Sequence, residues 1–96
     1  MRDGGEVGSL ENKVAIVTGS GTGIGRACAL MFAEEGAALV LVGRRRGPLE
    51  EAASECESRG SQVLVLPTDL EDGDAAESVV VQAVQHFGRV DILINN

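Results

Sequence analysis

"VTGSGTGIGR", residues 17–26, sets four glycines at alternate positions, Gly19, Gly21, Gly23 and Gly25, directly behind the aliphatic run Val14–Val17. The aliphatic run reads as a buried strand, since it is short, rich in β-branched residues and ends in glycine. From Ile24 the spacing changes. Ile24, Ala27, Cys28, Met31 and Phe32 recur at three and four residues, the period of a helix, and Gly36 follows as its stop. A strand that turns straight into a helix needs backbone conformations and clearances that β-carbons obstruct. Gly19 suits the turn, Gly25 the close helix–strand packing, and Gly23 leaves a ligand free to approach the backbone. The first turn of that helix presents unpaired N–H groups and the positive end of the dipole, a ready seat for phosphate oxygens.

The same unit repeats outward from this stretch. "ALVLVG", residues 38–43, is a second aliphatic run. A helical pattern follows, with Pro48 at its start, Leu49, Ala52, Ala53 and Cys56 on one face, and Gly60 at its end. "QVLVLP", residues 62–67, leads to a third helix with Ala76, Val79, Val80, Ala83, Val84 and Phe87 expected inward and Gly88 after it; "VDILI", residues 90–94, is a fourth strand. The order βαβαβαβ predicts a Rossmann-type, doubly wound parallel sheet of the α/β class with helices on both faces. Right-handed crossovers favour the order 3-2-1-4, with the glycine stretch at the switch point. Residues 1–9, with Gly4, Gly5 and Gly8, read as a flexible tail, and residues 10–96 as the N-terminal half of a nucleotide-binding domain.

Composition narrows the function. The 96 residues are 44% hydrophobic and 24% charged, an ordinary globular balance, with two Phe and no Trp or Tyr. A core so poor in aromatics is built from aliphatics, as buried parallel strands are. The net charge of −7 supplies no field to gather DNA, RNA or an anionic membrane, so nucleic acid and membrane are not expected partners. No apolar run approaches the roughly 20 residues needed to cross a bilayer, and "MRDGGEVGSLEN" has no hydrophobic signal core, which makes the cytoplasm the expected compartment. Cys28 and Cys56 lack the spacing of a zinc motif and read as buried small hydrophobes; no metal site is expected.

Spacing discriminates among nucleotides. A G-x-G-x-x-G pattern fails, because its last glycine falls on Ile24 or on Arg26, and no Gly-Lys-Ser/Thr of a phosphate-binding loop is present. Gly19-x-Gly21-x-Gly23 is similar to the loop of methyltransferases that use S-adenosylmethionine, but the acids that such proteins place before the loop and after strand two are missing. Thr18-Gly19-x-x-x-Gly23-Ile24-Gly25 instead resembles the pattern of the short-chain dehydrogenase/reductase family. Further matches follow in order: "GRR" after strand two, Asp69-Leu70 after strand three and "FGRVDILINN" at the end. The resemblance runs from about Leu10 to Asn96, where Asn95-Asn96 looks like the first half of an Asn-Asn-Ala-Gly motif.

That resemblance implies a cofactor site. Gly19, Ser20, Gly21, Thr22, Gly23, Ile24 and Gly25 would cradle the pyrophosphate. Asp69 would accept from the adenine amino group, with Leu70 lining the adenine pocket. Asn95 would hold the central strands together or contact the ribose, and Asn96 would sit nearer the nicotinamide. A carboxylate at the end of strand two binds the ribose diol of NAD, whereas arginine accommodates the 2′-phosphate of NADP. Here Gly43 stands where NAD-dependent members carry Asp, and Arg44 and Arg45 follow, which points to NADP over NAD. Some members add a basic residue just before the second glycine of their motif; Thr22 holds that place. Arg46 reads as solvated, and so do Glu50, Glu51, Glu55 and Glu57.

Members of the family transfer hydride between the nicotinamide and a carbonyl or alcohol, with a Tyr-x-x-x-Lys pair as acid/base. This chain has no Tyr, and its one lysine is Lys13, so no catalytic residue is assigned. His86 lies in the last turn of helix three, where a cation suits the helix dipole, and Asp91 reads as structural. The expectation is an NADP(H)-binding fragment of a short-chain oxidoreductase, inactive alone and homo-oligomeric when complete. The alternatives are a non-catalytic nucleotide-binding module and, more remotely, a methyltransferase fragment.

Overall fold

A computed structural model describes residues 9–96; of the expected tail, residues 1–8 lie outside the described residues. Ser9 is tied down, its Oγ donating to Glu35 Oε1 at 2.8 Å. Four strands and three helices alternate: β1 Val14–Thr18, α1 Gly23–Glu34, β2 Ala38–Gly43, α2 Arg46–Ser58, β3 Val63–Pro67, α3 Ala75–Phe87 and β4 Ile92–Ile94. All neighbours pair in parallel and the order is β3-β2-β1-β4, as the sequence implies. Because β1 is central and wholly buried, its run Val-Ala-Ile-Val shows no alternation of polar and apolar residues.

The two faces of the sheet hold two cores. Ala15, Val17, Leu39 and Leu41 pack under α1 and α2, against Ala29, Ala33, Leu49, Ala52, Ala53 and Cys56. Val14, Ile16, Val40, Val42 and Leu66 pack on the other face under α3, against Val79 and Ala83. The α2 face is the one the periodicity names. Burial also pushes the Cys56 thiol above its ordinary value, so it stays protonated and behaves as a small hydrophobe. Cys28 is only half-buried.

The other two helices sit differently from expectation. α1 turns Gly25, Ala29 and Ala33 to the sheet, with Cys28 and Phe32 half-buried, and leaves Ile24 (74%), Ala27 and Met31 (58%) exposed. α3 buries Val79 and Ala83 and leaves Ala76, Val80 and Val84 exposed. Residues with the least volume allow the closest approach of a helix axis to a sheet, so the Gly-Ala-Ala stripe takes the seat and bulkier side chains move to the flank. Pro48 occupies the third position of α2 rather than the first; the early N–H groups of a helix have no intrahelical acceptor, so proline is tolerated there.

Parallel pairing brings the carboxyl ends of all four strands to one edge of the molecule. The β1–α1 loop, the β2–α2 turn, the segment after β3 and Asn95-Asn96 therefore meet at one end.

Candidate functional site

The glycine loop is built by contacts that leave no room for side chains. Gly19 and Gly23 have φ of 62° and 60°, the left-handed region that favours glycine. A Cβ on Gly25 would fall on the Gly19 carbonyl oxygen, and one on Gly21 would lie 2.9 Å from Pro48 Cβ. Gly23 differs, because nothing lies within 4 Å of an added Cβ: its side of the loop is open. α1 then starts at Gly23 with no acid in its first turn and no side-chain cap, so among the described residues no side chain caps its leading N–H groups.

Ser20 is fully buried, its backbone N and its Oγ both turned to the Val42 carbonyl, at 3.3 and 3.4 Å. It anchors the loop to the end of β2, with its hydroxyl pointing away from the crevice. Thr18 plays a similar part on the other side. Its Oγ1 accepts from Asn96 N at 2.9 Å and lies 3.3 Å from Ile94 O and 3.2 Å from Asn95 Oδ1, either of which can take its proton. Asn96 Nδ2 in turn donates to Gly19 O at 3.4 Å. Both asparagines are thereby brought to the glycine loop.

Between the loop and β2 opens a cavity of about 520 Å³, lined by Gly19, Gly21, Thr22, Gly43, Arg44, Arg45, Pro48 and Leu49. Arg46 is turned aside to Glu50 at 3.3 Å, whereas Arg44 and Arg45 have no carboxylate partner among the described residues. Asp69 and Leu70 stand apart from this cavity. The Asp69 Oδ1 accepts from Glu71 N at 3.0 Å, closing a local turn, and Leu70 is half-buried against the core under α3. A larger hollow of about 700 Å³ opens at the opposite end of the sheet, around Asn12, Lys13, Gln62 and Arg89. Its shape comes from the turns that follow the three helices, and it touches none of the candidate residues.

The sequence reading missed Thr18 as the junction of β1 with β4, and Pro48 and Leu49 as walls of the cavity. A hydroxyl at the end of an otherwise aliphatic strand was the available signal for Thr18. Pro48 and Leu49 carried none, because helix periodicity accounted for both. Asp91 is structural: its Oδ2 accepts from Val14 N at 2.9 Å and its Oδ1 from Arg89 Nη2 at 2.7 Å. The Arg89 hydrogen bond, with that of Val14 N–H, holds its carboxyl below the usual range. His86 is exposed in the last turn of α3, edge-on to Phe87.

Residues 13–96, which contain the whole sheet and the crevice, match the family model described as short chain dehydrogenase. The chain belongs to the short-chain dehydrogenase family. It is 43% identical over 90 residues to an uncharacterized oxidoreductase of Bacillus subtilis, covering 93% of this chain and 31% of that protein. Among solved structures, a citronellol catabolism dehydrogenase of Pseudomonas aeruginosa superposes with a TM-score of 0.89 at 35% identity, over 95% of this chain and 38% of that one. An NAD⁺-bound xylitol dehydrogenase gives 0.87 at 37% identity, over 91% of this chain and 34% of that one. The chain thus spans about a third of the length of the short-chain dehydrogenases it matches.

Proposed function

We propose that this chain is the NADP(H)-binding portion of a short-chain oxidoreductase that moves a hydride between the nicotinamide and a small carbonyl or alcohol substrate. The observation that carries the preference is the Arg44-Arg45 pair, without carboxylate partners among the described residues, at the mouth of a cavity whose β2 end is Gly43 and carries no acid. A guanidinium fork grips a phosphate bidentately, and no carboxylate repels it. The open side of Gly23 and the uncapped N–H groups of α1 fit a pyrophosphate, and Asn96 beside Gly19 fits a position further along the dinucleotide. Bound there, the nicotinamide would supply the hydride chemistry; this chain's residues bind and orient.

The chain contains no Tyr, and Lys13 lies at the amino end of β1, away from the crevice. Alone, it is expected to bind cofactor without turnover. The complete protein is proposed as a homo-oligomer in which catalytic and substrate residues come from the sequence that its relatives have and this chain lacks. Asp69 and Leu70 are proposed for adenine, with the free Asp69 oxygen taking the amino group.

Titration of the chain with NADPH and NADH tests the reading. NADPH is expected to bind at least about tenfold tighter, and Arg44→Ala to remove most of that difference while changing NADH binding little. Equal affinities, or a preference for NADH, would overturn it.

A further inference from the structure

We propose that the Thr22 hydroxyl donates to the same 2′-phosphate as Arg44 and Arg45, which makes it a further determinant of the preference for NADP(H). The inference rests on the reading of the crevice as the adenosine-ribose subsite. Three hydroxyl side chains, Thr18, Ser20 and Thr22, alternate with the glycines of the β1–α1 loop. Two of them are engaged within the fold. Thr18 Oγ1 is held by Asn96 N and the end of β4, and Ser20 Oγ turns to the Val42 carbonyl at 3.4 Å. The Thr22 hydroxyl makes no hydrogen bond among the described residues.

Its position gives that idle hydroxyl a meaning. Thr22 is the N-cap of α1 and has the extended backbone of a cap, with φ −145° and ψ 166°, yet its side chain caps nothing. A threonine there ordinarily accepts from an N–H of the first turn. Its carbonyl already accepts from Arg26 N at 3.3 Å, so the backbone is committed to the helix and the side chain is left over. The residue is exposed and lines the cavity of about 520 Å³ together with Gly21, Arg44 and Arg45. Gly23, whose open side fits the pyrophosphate, is not part of that lining. A group lodged in the cavity therefore meets guanidinium donors from the β2–α2 turn and a hydroxyl donor from the glycine loop. Donors from both walls suit an acceptor-only dianion, and bonds to a charged acceptor are the strong ones. The ribose hydroxyl of NAD(H) offers one neutral acceptor instead, so the gain from Thr22 falls on the phosphorylated cofactor.

The test compares the native chain with Thr22→Val, which keeps the branched shape, and Thr22→Ser, which keeps the hydroxyl. The probes are NADPH and NADH, and adenosine 2′,5′-bisphosphate against adenosine 5′-monophosphate. Thr22→Val is expected to lose about fivefold or more in affinity for the two 2′-phosphorylated probes and less than about twofold for the others. Thr22→Ser is expected to hold the native preference. Equal losses for NADPH and NADH, or no loss at all, refute the role of Thr22 while the NADP(H) reading stands. A native chain that does not prefer NADPH overturns both. Should the valine variant fail to fold, NMR of the native chain decides. Adenosine 2′,5′-bisphosphate is expected to shift the Thr22 methyl resonance further than adenosine 5′-monophosphate does, and equal shifts overturn the proposal.

Discussion

Thr18 holds one hydroxyl proton between two acceptors, Ile94 O and Asn95 Oδ1, and receives a third hydrogen bond from Asn96 N. Thr18→Val keeps the volume and removes all three. It is expected to cost about 1–3 kcal/mol in chemical denaturation, because the buried junction loses its polar partner. Gly25→Ala places a methyl on the Gly19 carbonyl, and its cost is expected at about 1–3 kcal/mol with weakened NADPH binding, since the loop has to open to admit it. Asp91 gives a pH signature. Its carboxyl titrates lower in the folded chain than the unfolded value of about 3.9, so its contribution is present above that pH and is lost as pH falls through the folded value. Thermal midpoints measured below about pH 4 are expected to fall less steeply for Asp91→Asn than for the native chain.

How many faces of a helix are apolar explains both the success and the failure of periodicity. In α2 the apolar positions Leu49, Ala52, Ala53 and Cys56 are bounded by acids, leaving a single face to bury. In α1 and α3 apolar residues cover more than one face, so spacing alone could not choose between Ile24-Ala27-Met31 and Gly25-Ala29-Ala33. Contact with the sheet chose. Between α1 and α2, Arg26 Nη2 meets Glu55 Oε2 at 2.9 Å with both side chains partly exposed. Arg26→Ala is expected to cost less than about 1 kcal/mol in denaturant unfolding, the range of exposed ion pairs.

At the scale of the molecule, β4 is an edge strand of three residues, and Leu93, on the face that α3 leaves bare, is 58% exposed. Ile24 and Met31 on α1, and Val80 and Val84 on α3, are exposed as well. An apolar parallel edge with uncovered flanks is a template for association. The 96-residue chain is expected to self-associate with rising concentration in light scattering, and Leu93→Lys to shift it toward monomer. A native chain that stays monomeric at every concentration would contradict this.

The sequence by itself determined the strand–helix alternation, the strand order and the gathering of the glycine loop with the ends of the strands at one edge. Aliphatic runs and glycine punctuation are local signals, and right-handed crossovers leave few topologies for them. The proposed preference for NADP(H) rests on composition, an acid absent at Gly43 and arginines after it. What tertiary structure decided was direction and distance. Ser20 turns inward to β2, Asp69 closes its own turn, Thr18 ties β4 to the loop, and Leu49 lies against Gly43. These depend on how closely α1 and α2 approach the sheet, which is set by the volumes packed between elements distant in the chain, and no local pattern encodes that distance.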